Sequence, residues 1–157
     1  MMIKRFLLFI AVILMVSCSN EDGSKIPSIT PSQIELSTAH PEALFQFTEG
    51  DNPMYEFRIN YKKNGTEVSK RITKDILSKE QTVVELSDSN KATIYCNNGL
   101  LQKIEFDFMT LSKVQTGKYK VQLTQNTTPQ MPEALSFGFT VPDGISTIVI
   151  TFRKQKR

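Results

Sequence analysis

The sequence predicts an all-β fold, an antiparallel β-sandwich, and three observations lead to that prediction. Apolar and polar residues alternate with a period of two in several segments, which places the apolar side chains on one face of a strand. Two Asn-Gly pairs lie between such segments, as they do in tight hairpins. Beyond the first 17 residues, no segment keeps helical periodicity for ten residues.

Five segments show the alternation most clearly. Their apolar positions are Tyr55, Phe57, Ile59 and Tyr61; Ile104, Phe106 and Phe108; Tyr119, Val121 and Leu123; Leu135, Phe137, Phe139 and Val141; and Ile148, Ile150 and Phe152. Weaker strand candidates are 34–37, 44–48, 66–72, 83–86 and 92–96, and 77–81 is compatible with one helical turn. Many short strands of this kind are typical of a sandwich or a barrel.

Three turn sequences join the strand candidates. Asn64-Gly65 and Asn98-Gly99 each separate two candidates, and both pairs suit the positive φ angles of a type I′ turn. Residues 142–144, Pro-Asp-Gly, lie between the last two strands. The sequence therefore predicts hairpins at these three places.

The amino terminus has the pattern of a secretion signal. Lys4 and Arg5 precede an apolar run of eleven residues, 6–16, which is shorter than the ~20 residues that a membrane-spanning helix needs. Residues 15–18, Met-Val-Ser-Cys, resemble the lipobox of bacterial lipoproteins. That resemblance implies that residues 1–17 are a signal peptide and that Cys18 becomes lipidated. The alternative is a plain secretory signal with an incidental cysteine.

The residues after Cys18 indicate where the anchored domain sits. Glu21-Asp22 resembles the acidic export signal of surface lipoproteins in Bacteroidota, which implies an outer-membrane lipid anchor and exposure at the cell surface. Residues 18–31 are rich in polar residues and contain two prolines, so we expect a flexible lipidated tether. Residues 32–157 have the length of a single β-sandwich domain.

Two short motifs refine the fold class. Residues 111–123, LSKVQTGKYKVQL, resemble the strand entry of immunoglobulin-like domains, where Gly117 and Tyr119 would form the tyrosine corner. Residues 30–37, TPSQIELS, resemble the first strand of bacterial immunoglobulin-like modules. Gln115 replaces the usual aspartate, and the chain lacks the core tryptophan. The resemblance implies an immunoglobulin-like or related sandwich, and a transthyretin-like sandwich or a lipocalin-like barrel is the alternative.

Few residues in the sequence are candidates for catalysis or metal binding. His40 is the single histidine and lies in a probable turn sequence, and Cys96 lies in a β-like run that predicts a buried core thiol. Glu105 and Asp107 alternate with apolar residues, which predicts a solvated strand face. No phosphate-binding loop or nucleophile elbow is present in the sequence. We therefore predict no catalytic residues, no metal, no cofactor and no enzymatic activity.

The composition and the anchor together suggest a function. Removing Lys4 and Arg5 lowers the formal charge from +3 to +1, which gives no reason to expect nucleic-acid binding. We expect a membrane-anchored, non-catalytic binding or adhesion module for a protein or a glycan. The absence of tryptophan weighs against a glycan platform. The alternative is a structural accessory lipoprotein of an envelope machine, such as a secretion or conjugation apparatus. If the predicted strand 146–153 is an edge of its sheet, it is the first candidate to pair with an extended segment of a partner.

Overall fold

The computed structural model describes residues 28–48, 56–87, 90–124, 131–141 and 144–153, and these form twelve strands and one short helix. The strands are β1 (Ile29–Thr30), β2 (Gln33–Leu36), β3 (Glu42–Phe47), β4 (Phe57–Lys63), β5 (Thr66–Ile72), β6 (Gln81–Ser87), β7 (Asn90–Asn97), β8 (Leu100–Phe106), β9 (Met109–Gln115), β10 (Lys118–Leu123), β11 (Ala134–Val141) and β12 (Gly144–Phe152). The helix α1 spans Lys74–Leu77. No helix in the described ranges is long and apolar enough to cross a bilayer.

The strands form two sheets that pack face to face. The first sheet has seven strands in the order β1-β3-β10-β9-β8-β7-β6, and the second has five in the order β2-β12-β11-β4-β5. Every neighbouring pair is antiparallel except β2 and β12, which are parallel. The predicted sandwich is therefore confirmed, and the lipocalin-like barrel is wrong because neither sheet closes on itself.

The chain changes sheets early. β1 pairs with β3 in the first sheet, and β2, only three residues later, pairs with β12 in the second. The order β1-β3-β10-β9 corresponds to strands A-B-E-D of an immunoglobulin domain, and β12-β11-β4 corresponds to G-F-C. Strands β6 to β8 extend the first sheet beyond that arrangement by three strands.

Three sequence predictions need correction. The predicted tether ended at residue 31, but Ile29–Thr30 already pairs with β3, so the fold begins inside the expected tether. The predicted helical turn at 77–81 is instead the helix α1 at Lys74–Leu77, which ends where the prediction began and buries Leu77. Gly117 and Tyr119 lie in the hairpin between β9 and β10, within one sheet, and so do not form a corner between sheets.

The core consists of the alternating apolar positions. The rings of Phe106 and Phe139 both lie 6.2 Å from that of Phe137, and Tyr119 stacks on Phe45 at 5.5 Å. Fifteen of the predicted inward residues are buried: Phe57, Ile59, Tyr61, Ile104, Phe106, Phe108, Tyr119, Val121, Leu123, Leu135, Phe137, Phe139, Ile148, Ile150 and Phe152. Tyr55 and the side chain of Val141 lie outside what the structure describes.

The Asn-Gly turns have the predicted conformation. Asn64 and Gly65 have φ angles of 52° and 74°, and Asn98 and Gly99 have φ angles of 50° and 76°. Positive φ at both central residues is the requirement of a type I′ turn, and both hairpins are confirmed. Residues 142–143 lie outside the described ranges, although Val141 and Gly144 on either side are paired.

Candidate recognition surface

The predicted lipidation site lies outside the described residues. The structure describes the chain from Ser28 onward, so the lipidation of Cys18 stays a prediction. Asp51, Asp88 and residues 154–157, of which three are basic, also lie outside the described ranges. Among the described residues, no three metal-ligating side chains converge on one point.

His40 lies in an exposed turn, where the sequence placed it. Its backbone N–H lies 3.1 Å from both the carbonyl and the Oγ of Ser37, and the Ser37 N–H donates back to the His40 carbonyl at 3.1 Å. These bonds close the turn between β2 and β3. The imidazole projects from a surface turn, which is consistent with a solvated side chain.

The surroundings of Cys96, Glu105 and Asp107 indicate structural roles for these three residues. Cys96 is 7% exposed, and burial raises the pKa of its thiol, which opposes formation of the reactive thiolate. The Glu105 carboxylate accepts a hydrogen bond from Lys103 Nζ at 3.0 Å, and this bond lowers its pKa. Asp107 is exposed in the turn that follows β8. Glu105 and Asp107 therefore belong to a solvated surface, as the alternation predicted.

The suspected edge strand is not an edge. β12 lies between β11 and β2 in the second sheet, so the suggestion that 146–153 forms a free edge is wrong. The parallel β2 covers residues Val149 to Phe152 of β12. The strand resembles an edge in sequence because it is strongly β-prone and ends in charged residues, but the early crossing of the chain covers it.

On the outer face of the second sheet, a glycine is surrounded by a cationic, an apolar and a polar side chain. Gly138 on β11 lies directly between Arg58 on β4 and Thr147 on β12. A Cβ atom at Gly138 would lie 3.5 Å from Ile145 Cγ2 and 3.8 Å from Thr147 Oγ1, so these two side chains flank the glycine, which is itself buried. We call these four residues, Arg58, Gly138, Ile145 and Thr147, the recognition face.

Ile145 and Arg58 are the two members of the recognition face that are most available to a partner. Ile145 is 66% exposed, the highest value among the large apolar residues of the described chain. Within the same described residues, the Arg58 guanidinium has neither a hydrogen bond nor an ion pair. Its neighbour Arg71 binds Glu56 through Nε, at 2.8 Å, and through Nη2. The face thus presents an exposed apolar side chain and a cation that remains available.

The outer face of the first sheet differs in its charges. Lys120 pairs with Glu42 at 3.7 Å, Lys91 pairs with Glu85 at 3.3 Å, and the Lys103 ammonium lies between Glu105 and the Tyr95 ring, 5.4 Å from the ring centroid. Its exposed apolar residues, Leu44, Val83 and Val114, lie on three different strands. Scattered exposed apolar residues are ordinary on protein surfaces. The second sheet is therefore the better candidate for recognition.

Sequence reasoning missed the recognition face. Its members come from β4, β11 and β12 and share no local motif, so only the pairing register brings them together. One signal was available, because an isolated glycine inside an alternating strand often marks a close approach to the backbone. No family model, curated protein or solved structure matches this chain, so the surface is interpreted from its own geometry.

Proposed function

We propose that this protein is a lipid-anchored cell-envelope protein that acts as a non-catalytic binding or adhesion module. The observation that carries the proposal is the recognition face, where Arg58 and Ile145 flank the backbone of Gly138. Arginine is enriched in the residues that dominate protein interfaces, and its guanidinium can donate two parallel, charge-assisted hydrogen bonds to a carboxylate of a partner. An exposed isoleucine beside it supplies apolar area that a partner can bury.

A protein partner fits this surface better than a glycan. Glycan platforms usually stack sugars on exposed aromatic rings. Of the tyrosines in the described residues, Tyr61 and Tyr119 are each 2% exposed, and Tyr95 is half-buried with Lys103 over its ring. The recognition face itself contains no aromatic residue. We therefore favour a protein with an acidic and apolar surface patch as the partner.

The anchor completes the proposal. Lipidation at Cys18, at the outer membrane, leaves the ten residues 18–27 before the described domain. A chain of that length spans at most about 35 Å when extended. The domain, which we take to be immunoglobulin-like, would then stand close to the membrane surface with its sheets free to meet a partner. The alternative role is an accessory of an envelope machine, such as a secretion or conjugation apparatus.

A charge reversal tests the proposal. Intact cells carrying the wild-type protein, Arg58→Glu or Lys79→Glu are treated with a crosslinker, and the bound partners are recovered and quantified. Lys79 is an exposed cation in the loop after α1 and serves as the charge-matched control. We expect Arg58→Glu to lose the recovered partner and Lys79→Glu to retain it. Equal recovery from all three proteins would contradict the recognition face.

A further inference from the structure

β5 is an outer strand of the second sheet and is unusually bare. Within the described residues it pairs with β4 alone, and Ile72 is its single buried residue. A free strand edge presents a row of unpaired N–H and C=O groups, which can pair with a strand from another chain. The backbone geometry of β5 specifies which groups those are.

The Asn64-Gly65 turn sets the direction of each backbone group. In a two-residue hairpin, the flanking residues Lys63 and Thr66 form a hydrogen-bonded pair, so every second residue from Thr66 onward bonds to β4. The opposite side of β4 agrees, because the Lys62 carbonyl accepts from Glu133 next to β11. Glu67, Ser69 and Arg71 therefore direct their N–H and C=O groups away from the sheet.

One register satisfies all of these groups at once. If β5 pairs antiparallel with β5 of a second copy about a two-fold axis at Ser69, the two Ser69 residues face each other as a hydrogen-bonded pair. Glu67 of each copy then lies directly opposite Arg71 of the other, on the same face of the sheet. Opposite charges at directly opposed positions stabilise a strand pair. The three residues with outward groups are all paired in this arrangement.

The other registers are disfavoured by charge or by lost pairing. Centring the two-fold axis on Glu67, Lys70 or Arg71 opposes two like charges, and centring it on Val68 leaves the outward groups of Arg71 opposite the turn residue Gly65. In the Ser69 register, Lys70 faces Val68 of the second copy and meets no like charge. Arg71 uses Nε and Nη2 for Glu56, which leaves Nη1 to donate to Glu67 of the second copy. The charges of β5 and the pairing of its outward backbone groups together favour the Ser69 register.

We propose that two copies of this protein associate through β5, antiparallel and centred on Ser69, to form a continuous ten-stranded sheet. β6, the longer of the two outer strands of the first sheet, is a poorer candidate because its single charged residue is Glu85 and it has no cation to oppose it. The proposal is independent of the recognition face, which lies on the outer surface of the same sheet. Self-association would place two such faces on one surface.

Cysteine scanning in the full chain tests the proposal. In a hydrogen-bonded antiparallel pair the Cα atoms lie about 5.5 Å apart, which suits a disulfide. Ser69→Cys should therefore give a disulfide-linked dimer on a non-reducing gel after mild oxidation of intact cells. Lys70→Cys is the matched control, because its two copies are offset along the strands beyond the ~7 Å limit for a disulfide. The parent chain measures the background from Cys18 and Cys96.

Charge reversal gives a second readout. Glu67→Arg in the Ser69→Cys chain opposes like charges twice and should lower the crosslinked fraction about ten-fold. Adding Arg71→Glu restores both opposite pairs and should recover the dimer. Equal crosslinking at positions 69 and 70 would overturn the proposal, and so would a dimer that Glu67→Arg leaves unchanged. Circular dichroism of each variant checks that the fold is retained.

Discussion

Tyr61 and Asn90 are joined by a side-chain hydrogen bond that connects the two sheets. Tyr61 lies on β4 in the second sheet and Asn90 begins β7 in the first, and each residue is 2% exposed. Burial raises the pKa of the Tyr61 hydroxyl, and the hydrogen bond from Asn90 opposes that rise without cancelling it. Asn90 Nδ2 also lies 3.2 Å from Ser87 Oγ, which holds the amide in place. A polar link is thus buried between two apolar layers.

Removing the Tyr61 hydroxyl should destabilise the sandwich. Tyr61→Phe keeps the ring and deprives the buried Asn90 amide of a partner, so we expect a loss of about 1–2 kcal/mol in the free energy of unfolding. Urea unfolding measures it as a lower midpoint at an unchanged slope. Tyr95→Phe is the control, because Tyr95 is only half-buried on an outer face, and it should change stability by less than about 0.5 kcal/mol. Equal effects of the two substitutions would argue against the link.

The β4–β5 turn should be sensitive to a single methyl group. Gly65 has a φ of +74°, and a Cβ there would meet no atom within 4 Å. Gly65→Ala should therefore cost about 1 kcal/mol from backbone conformation alone. Gly138→Ala is the contrasting variant, because its Cβ would make ordinary contacts at 3.5 Å and 3.8 Å, and it should not lower the thermal midpoint. A Gly65→Ala protein with the thermal midpoint of the wild-type protein would contradict the type I′ assignment.

The anchor is tested by its cysteine. Cys18→Ser removes the thiol that the lipobox resemblance assigns to acylation, so the domain should leave the membrane fraction and should take up no labelled palmitate. A variant with Ser19→Ala provides the control and should stay in the membrane fraction with its label. Membrane retention of Cys18→Ser, with no label in the wild-type protein, would show that the lipoprotein interpretation is wrong.

The sequence predicted local features well and spatial ones poorly. Alternation identified inward residues such as Phe137 and Ile148, because a side-chain period of two is a local property of a strand. The Asn64-Gly65 turn was equally local. The edge assignment of 146–153 failed because whether β12 is covered depends on where β2 crosses to the second sheet, far away in sequence. Arg58 and Gly138 were missed for the same reason, since only the register of β4 and β11 makes them neighbours.

Site-specific photocrosslinking determines whether the outer face of the second sheet contacts a partner protein. A photoreactive residue replaces either Thr147, on the recognition face, or Gln122, an exposed position on the outer face of the first sheet. Intact cells are irradiated, and the adducts are identified by mass spectrometry. We expect a discrete protein adduct from position 147 and none from position 122. Adducts from position 122 alone, or from neither position, would contradict this expectation.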